Sequence, residues 1–144
     1  MPHPALLIPR DIHDAMIAQC VREAPNEACG ILAGHNGKVT AIYEMRNELQ
    51  APDRYNADPK DLIRAFIYLR TRRLEIVALY HSHPKWVAVP SKTDLAENRD
   101  YGETPRIIVS LLGATPEVRV WRFGEETYDE LPWRIVSPGE AAWR

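Results

Sequence analysis

The stretch EIVALY, residues 75–80, sets the tightest limit on how this chain folds. A continuous run of this kind suits a strand covered on both faces of its sheet. Such a strand needs a layer on each side, and helices supply those layers. RIIVSLL at 106–112 is a second run of the same type. EVRV at 117–120 alternates and predicts a half-exposed strand. WRIV at 133–136 follows Pro132, which tolerates only an edge or a strand end, so an edge strand is expected there.

Two segments carry helical spacing. One opens at Asp11, places Ile12, Met16, Ile17, Cys20 and Val21 three or four residues apart, and ends at Pro25. The other starts at Pro59, with Leu62, Ile63, Phe66, Ile67 and Leu69 marking an amphipathic helix. ALLIP at 5–9 predicts a short strand, and the small apolar run ACGILAG at 28–34 a buried one. His35-Asn36-Gly37 reads as a hairpin turn into a strand over 38–45. The polar stretch 47–57 reads as a loop. With no repeat or linker, residues 1–144 are expected to form a single mixed α/β domain, with helices packed on a central sheet.

Bulk properties narrow the function. The net charge of −2 gives no electrostatic basis for nucleic-acid binding. Arg70, Arg72 and Arg73 read as a solvated helix end. No apolar run approaches membrane-spanning length, and MPHPALLIPR lacks the pattern of a signal peptide. Cys20 and Cys29 fit no zinc-finger spacing and are too few for a disulfide scaffold, so buried thiols in the cytoplasm are expected.

The chemistry concentrates in HSHPKWVAVPSKTD, residues 81–94. If the strand over 75–80 continues, His81 and His83 project to the same face and can chelate one metal. Pro84 then turns the chain. Taken alone, the pair also fits a polar loop. Ser91-x-x-Asp94 has the pattern of a capping box at a helix start. A carboxylate in that first turn can still face a metal. Two histidines and one aspartate would leave a fourth position for water, the pattern of a catalytic zinc. Trp86 either lines a groove or covers the loop. His3, His13 and His35 read as surface residues.

Taken together, His81-Ser82-His83-Pro84, the seven residues Pro84 to Pro90, and Ser91-x-x-Asp94 resemble the signature of the JAMM (MPN+) metalloproteases. That signature includes an upstream glutamate before an apolar strand with glycines, and Glu27 in NEACGILAG matches it. Asn47 and the Ile-Val-Ser of the 107–110 strand are also similar to bacterial members. The resemblance implies a curved mixed sheet flanked by helices, similar to that of cytidine deaminases. It implies a Zn2+ ion held by His81, His83 and Asp94. Glu27 would hold the catalytic water, take its proton and pass it to the leaving amine. Ser91 would donate a hydrogen bond to the oxyanion. None of these five positions departs from the signature, which speaks against an inactive relative.

Other hydrolase patterns fail. A histidine triad would need a third alternating histidine, but position 85 is lysine. The H-x-E and P-C-x-x-C of zinc deaminases and the G-x-S-x-G elbow of serine hydrolases are absent. The alternative from another class is a non-catalytic scaffold, which some MPN domains are. The short 47–57 loop and near-minimal length look more like the stand-alone prokaryotic members. Those act on ubiquitin-like or sulfur-carrier proteins with a C-terminal di-glycine tail, and that partner class is expected here.

Overall fold

The structure is a computed structural model and describes residues 5–137 apart from 50, 54 and 98–101. The elements run β1 (Leu6–Pro9), α1 (Arg10–Glu23), β2 (Cys29–His35), β3 (Lys38–Met45), α2 (Pro59–Arg72), β4 (Glu75–His83), α3 (Lys92–Glu97), β5 (Arg106–Ser110), β6 (Glu117–Phe123), β7 (Tyr128–Leu131) and β8 (Trp133–Val136). The expected mixed α/β class and its curved sheet are both present.

The strands form one eight-stranded sheet in the order β7-β6-β5-β4-β2-β3-β1-β8. β7 and β8 stand at opposite ends of that order, yet only Pro132 separates them in sequence. The sheet must therefore curl until its two edges approach each other. The Leu6 N–H donates to the Pro132 carbonyl at 2.9 Å, and the Trp133 indole N–H to the Val118 carbonyl at 3.2 Å. Both bonds tie the closing edges together.

α1 lies on the face enclosed by this curl. Leu6, Leu32, Tyr80, Ile107, Val120 and Leu131, each from a different strand, pack with its Ile12, Met16 and Cys20. Burial of this apolar surface is the main force holding the sheet around the helix. α2 packs on the opposite face, where Ala65 and Leu69 meet Cys29, Ile31, Met45 and Leu79. β4 is thus covered on both sides, as its apolar run requires.

One buried polar network links α1 to the sheet. The Gln19 side-chain amide donates to the Cys29 and Met45 carbonyls at 3.0 and 3.4 Å, and its oxygen accepts from the Tyr80 hydroxyl. Tyr80 reaches Gln19 by crossing Gly30, where a Cβ would run into its ring.

Several local expectations hold. Asn36 and Gly37 both adopt positive φ, as the tight β2–β3 hairpin needs. Asp58 caps α2 by accepting from the Lys60 N–H at 2.8 Å, with Pro59 in the first turn. β8 is an edge strand. Cys20 and Cys29 are buried free thiols.

Others are corrected. β7 is a strand without a sequence signal, because YDEL exposes three of its four residues and carries no apolar pattern. Cross-strand ion pairs with β6 support it, Arg119–Glu130 at 2.8 Å and Arg122–Asp129 at 3.2 Å. β6 runs on to Phe123 because Trp121 and Phe123 pack with Ala88 and Ile108. β5 stops at Ser110, and Leu112 is exposed. The apolar stripe read on α2 divides: Leu62 and Leu69 face the sheet, while Ile63, Phe66 and Ile67 are exposed. Val21 is likewise exposed on α1. His3 lies outside the described residues. His13 is not a free surface group, since its ring stacks on Trp133 with centroids 6.0 Å apart. His35 is exposed as expected. Among the described residues, no helix is long and apolar enough to cross a membrane.

Gln19→Leu leaves the Tyr80 hydroxyl and two strand carbonyls without their partner. It is expected to cost about 1–3 kcal/mol of stability, read as a lower urea midpoint at unchanged slope.

Candidate metal centre

β4 continues in extended form through both histidines, so His81 and His83 do project to one face. Ser82, between them, faces the other way. Its hydroxyl accepts from the Ala28 N–H at 2.8 Å, and its N–H donates to the Ala28 carbonyl at 3.0 Å. This pairing fastens the start of β2 to the end of β4. The register pairs Cys29 with His81. Continued by two residues, it sets Glu27 opposite His83 on the same face. Two segments more than fifty residues apart in sequence meet in this way. Glu27 is buried, with its N–H donating to the Ala51 carbonyl at 2.7 Å and its carbonyl accepting from the Asn47 side chain at 3.0 Å.

Asp94 completes the cluster. Its Oδ1 lies 3.1 Å from His81 Nε2, and its Oδ2 3.0 Å from His83 Nε2. All three side chains are buried, and their ligand atoms lie within 4.8 Å of one another. Ser91 and Asp94 also form a full capping box. The Asp94 N–H donates to Ser91 Oγ and the Ser91 N–H to Asp94 Oδ2, both at 2.9 Å. Capping and a ligand role are therefore not alternatives: Oδ2 accepts the cap bond while the carboxylate faces the histidines. Burial by itself would raise the Asp94 pKa. The facing His81 and His83 rings, together with a hydrogen bond from the Ser91 N–H, hold it well below the ordinary carboxylate range. Asp94 is thus ionised at neutral pH.

The donor chemistry fits a cation. His83 Nδ1 lies 2.7 Å from the Val87 carbonyl, which can only accept, so Nδ1 carries the hydrogen. In the neutral imidazole, Nε2 then points a lone pair at a carboxylate oxygen 3.0 Å away. Either a second proton on His83 or a shared cation resolves that conflict. His81 Nε2 is also buried, without a hydrogen-bond partner among the described residues. Two imidazole nitrogens and a carboxylate are a sound ligand set for a divalent transition metal.

The loop from Pro84 to Pro90 is held firmly. Three consecutive carbonyls each accept from a different strand. Ser110 donates to Trp86, His83 to Val87, and the Trp121 indole to Ala88 at 2.9 Å. Ser82, Trp121 and the Val87 carbonyl carry no local sequence signal, since each acts only through its partner in the fold. Of the two roles open to Trp86, the structure shows the first: it lines a cleft. That cleft has a volume of about 410 Å3 and is lined by Glu27, His83 and Ser91 together with Pro52, Asp53, Lys85 and Trp86. Cys20 and Cys29 are poor candidates for ligation, because burial pushes both thiols up to about 12.

A curled mixed sheet with a His-x-His…Asp cluster on its outer face defines the JAB1/MPN class of domain. Residues 9–124 match the family model for prokaryotic homologs of the JAB domain, and the chain belongs to that family. It is 38% identical over 95 residues to a probable TtuB-protein conjugate cleaving protease of Thermus thermophilus, covering 65% of this chain and 64% of that protein. It is 26% identical over 121 residues to a desampylase of Pyrococcus furiosus, covering 84% and 83%. Identity to the CysO-cysteine peptidase of Mycobacterium bovis is 34% over 92 residues, covering 62% and 63%. The matched part therefore spans slightly under two thirds of the Thermus and mycobacterial proteins. Among solved structures, protein DSY2949 of Desulfitobacterium hafniense superposes with a TM-score of 0.82 at 25% identity, over 91% of this chain and 92% of that one. The JAB1/MPN domain protein AF2198 of Archaeoglobus fulgidus, at 15% identity and a TM-score of 0.63 over 93% and 100%, shares the fold.

Ser91→Ala removes one half of the capping box. It is expected to lower stability by about 1 kcal/mol, measured by thermal or chemical unfolding of the metal-free protein.

Proposed function

We propose that this protein is a zinc-dependent peptidase that hydrolyses an amide or isopeptide bond at the C-terminal tail of a ubiquitin-like or sulfur-carrier protein. The observation that carries this reading is convergence. Three buried ligand atoms lie within 4.8 Å of one another, and Glu27 and Ser91 line the same cleft as His83. The names of the relatives point the same way, since each acts on a conjugate or adduct of a small carrier protein. The complete ligand set gives no support to a scaffold role.

His81, His83 and Asp94 would hold the ion, and their donor set suits zinc. Zinc supplies Lewis acidity, which makes a water acidic near pH 7 and polarises a carbonyl. Glu27, buried just before the start of β2, accepts the proton from the attacking water and returns it to the leaving amine. Ser91 Oγ already accepts from the Asp94 N–H, so its own hydrogen is free to turn to the oxyanion that forms on the carbonyl.

The route of the tail follows from the topology. β4 is paired with β2 on one side and β5 on the other, so a tail cannot extend the sheet beside the metal ligands. It would instead run between the walls formed by Pro52 and Asp53 and by Lys85 and Trp86.

Metal analysis of protein purified without chelators tests the first step, and a chain that cannot be loaded with zinc would sink the proposal. Glu27→Gln is expected to keep its metal and lose about 10²–10⁴-fold in turnover of a carrier conjugate, followed by mass spectrometry of the released carrier. Undiminished turnover would remove Glu27 from its role as base. His81→Ala is expected to weaken zinc binding, and unchanged stoichiometry and affinity would refute its place among the ligands.

A further inference from the structure

The two histidines are oriented by different means. His83 is fixed by a hydrogen bond from Nδ1 to the Val87 carbonyl, on a loop that the Ser110 and Trp121 side chains also pin. A metal-ligating histidine is usually held in this way, by the nitrogen that does not face the metal. His81 has no such partner among the described residues. What meets its ring is an aromatic face. The Tyr55 ring stacks on it with centroids 4.7 Å apart and planes inclined by 26°.

We propose that Tyr55 is the positioning residue for His81, and that the loop over 46–58 thereby sets the metal affinity and ligand geometry of the site. This inference rests on the reading that His81, His83 and Asp94 hold a metal. An imidazole on a strand can turn about its outer side-chain torsion. A flat ring stacked on one face, with His83 set edgewise 5.1 Å away, holds the imidazole in the plane in which Nε2 faces Asp94 Oδ1 at 3.1 Å.

The loop is built to hold Tyr55 in place. Asn56, its neighbour, is secured at both ends of its backbone. The Asn56 N–H donates to Asn47 Oδ1 at 3.0 Å, and its carbonyl accepts from the Glu48 N–H at 2.8 Å. The Asp58 N–H donates to the Arg46 carbonyl at 2.9 Å, closing the base of the loop. The same loop grips the peptide of Glu27 at both its N–H and its carbonyl, through Ala51 and Asn47. One segment thus touches a ligand on one side and the proposed base on the other. Tyr55 touches the His81 ring and is not among the residues that line the cleft, so it positions and does not catalyse.

The test compares Tyr55→Phe, which keeps the flat ring, with Tyr55→Leu, which removes it. Purified apo-proteins are titrated with Zn2+ and Co2+ against a chromophoric chelator, and the visible bands of the Co2+ forms are recorded. Tyr55→Phe is expected within about threefold of the wild-type affinity, and Tyr55→Leu about tenfold or more weaker, the range for loss of a group that orients a ligand. The Co2+ bands shift or lose intensity in Tyr55→Leu alone. In the folded wild-type apo-protein, the His81 ring protons should carry an upfield ring-current shift that persists in Tyr55→Phe. This last readout holds even if the leucine variant fails to fold. Wild-type affinity and an unchanged Co2+ spectrum in Tyr55→Leu would overturn the proposal, as would His81 protons without that shift. A wild-type protein that takes up neither metal overturns the functional reading itself.

Discussion

Two hydrogen bonds between Ala28 and Ser82 fix the relation on which the candidate site depends. They lock the end of β4 against the start of β2, and so set the register that brings Glu27 to the histidines. A slip of one residue would turn Ser82 to the cleft and both histidines to the α1 side, because side chains alternate along a strand. Ser82 is itself buried, so its hydroxyl needs a partner, and the Ala28 N–H supplies it. The serine of the H-S-H sequence therefore holds in place what its neighbours use.

The curl of the sheet divides the work between its two faces. The enclosed face takes α1 and the largest apolar cluster among the described residues, to which nearly every strand contributes. The outer face keeps α2, α3 and the cleft with the candidate ligands. A buried carboxylate between two imidazoles is costly to desolvate. That cost is tolerable on a sheet whose stability comes from the opposite side.

The site is held by groups that do not belong to it. Loop 84–90 hangs from three carbonyls, each bonded to a different strand, and loop 46–58 closes on Asn47. Ser91 and Asp94 orient each other through the capping box before any ligand arrives. Side chains locked in this way are what a metal centre or an active site requires, since loosely held ligands lose both affinity and geometry.

Much of this was legible in the residues. The long apolar run of β4 demanded cover on both faces, the Asn36-Gly37 turn announced its hairpin, and Pro132 marked an edge. The candidate ligands were also legible, because H-x-H on a strand and S-x-x-D at a helix start are short-range patterns governed by fixed periodicities. β7 was not legible: four mostly polar residues become a strand only when β6 offers Arg119 and Arg122 as partners. Nor was the division of the α2 stripe, since helical spacing cannot say which apolar residues will find a sheet. Tyr55 read as a loop residue because stacking on His81 is a contact across 26 positions of sequence. The sequence by itself determined which side chains were chemically able to bind a metal and which segments would be strand or helix. Only the tertiary structure decided that Glu27, His81, His83, Ser91 and Asp94 meet, because strand register, sheet curl and loop closure depend on contacts between segments that local patterns do not specify.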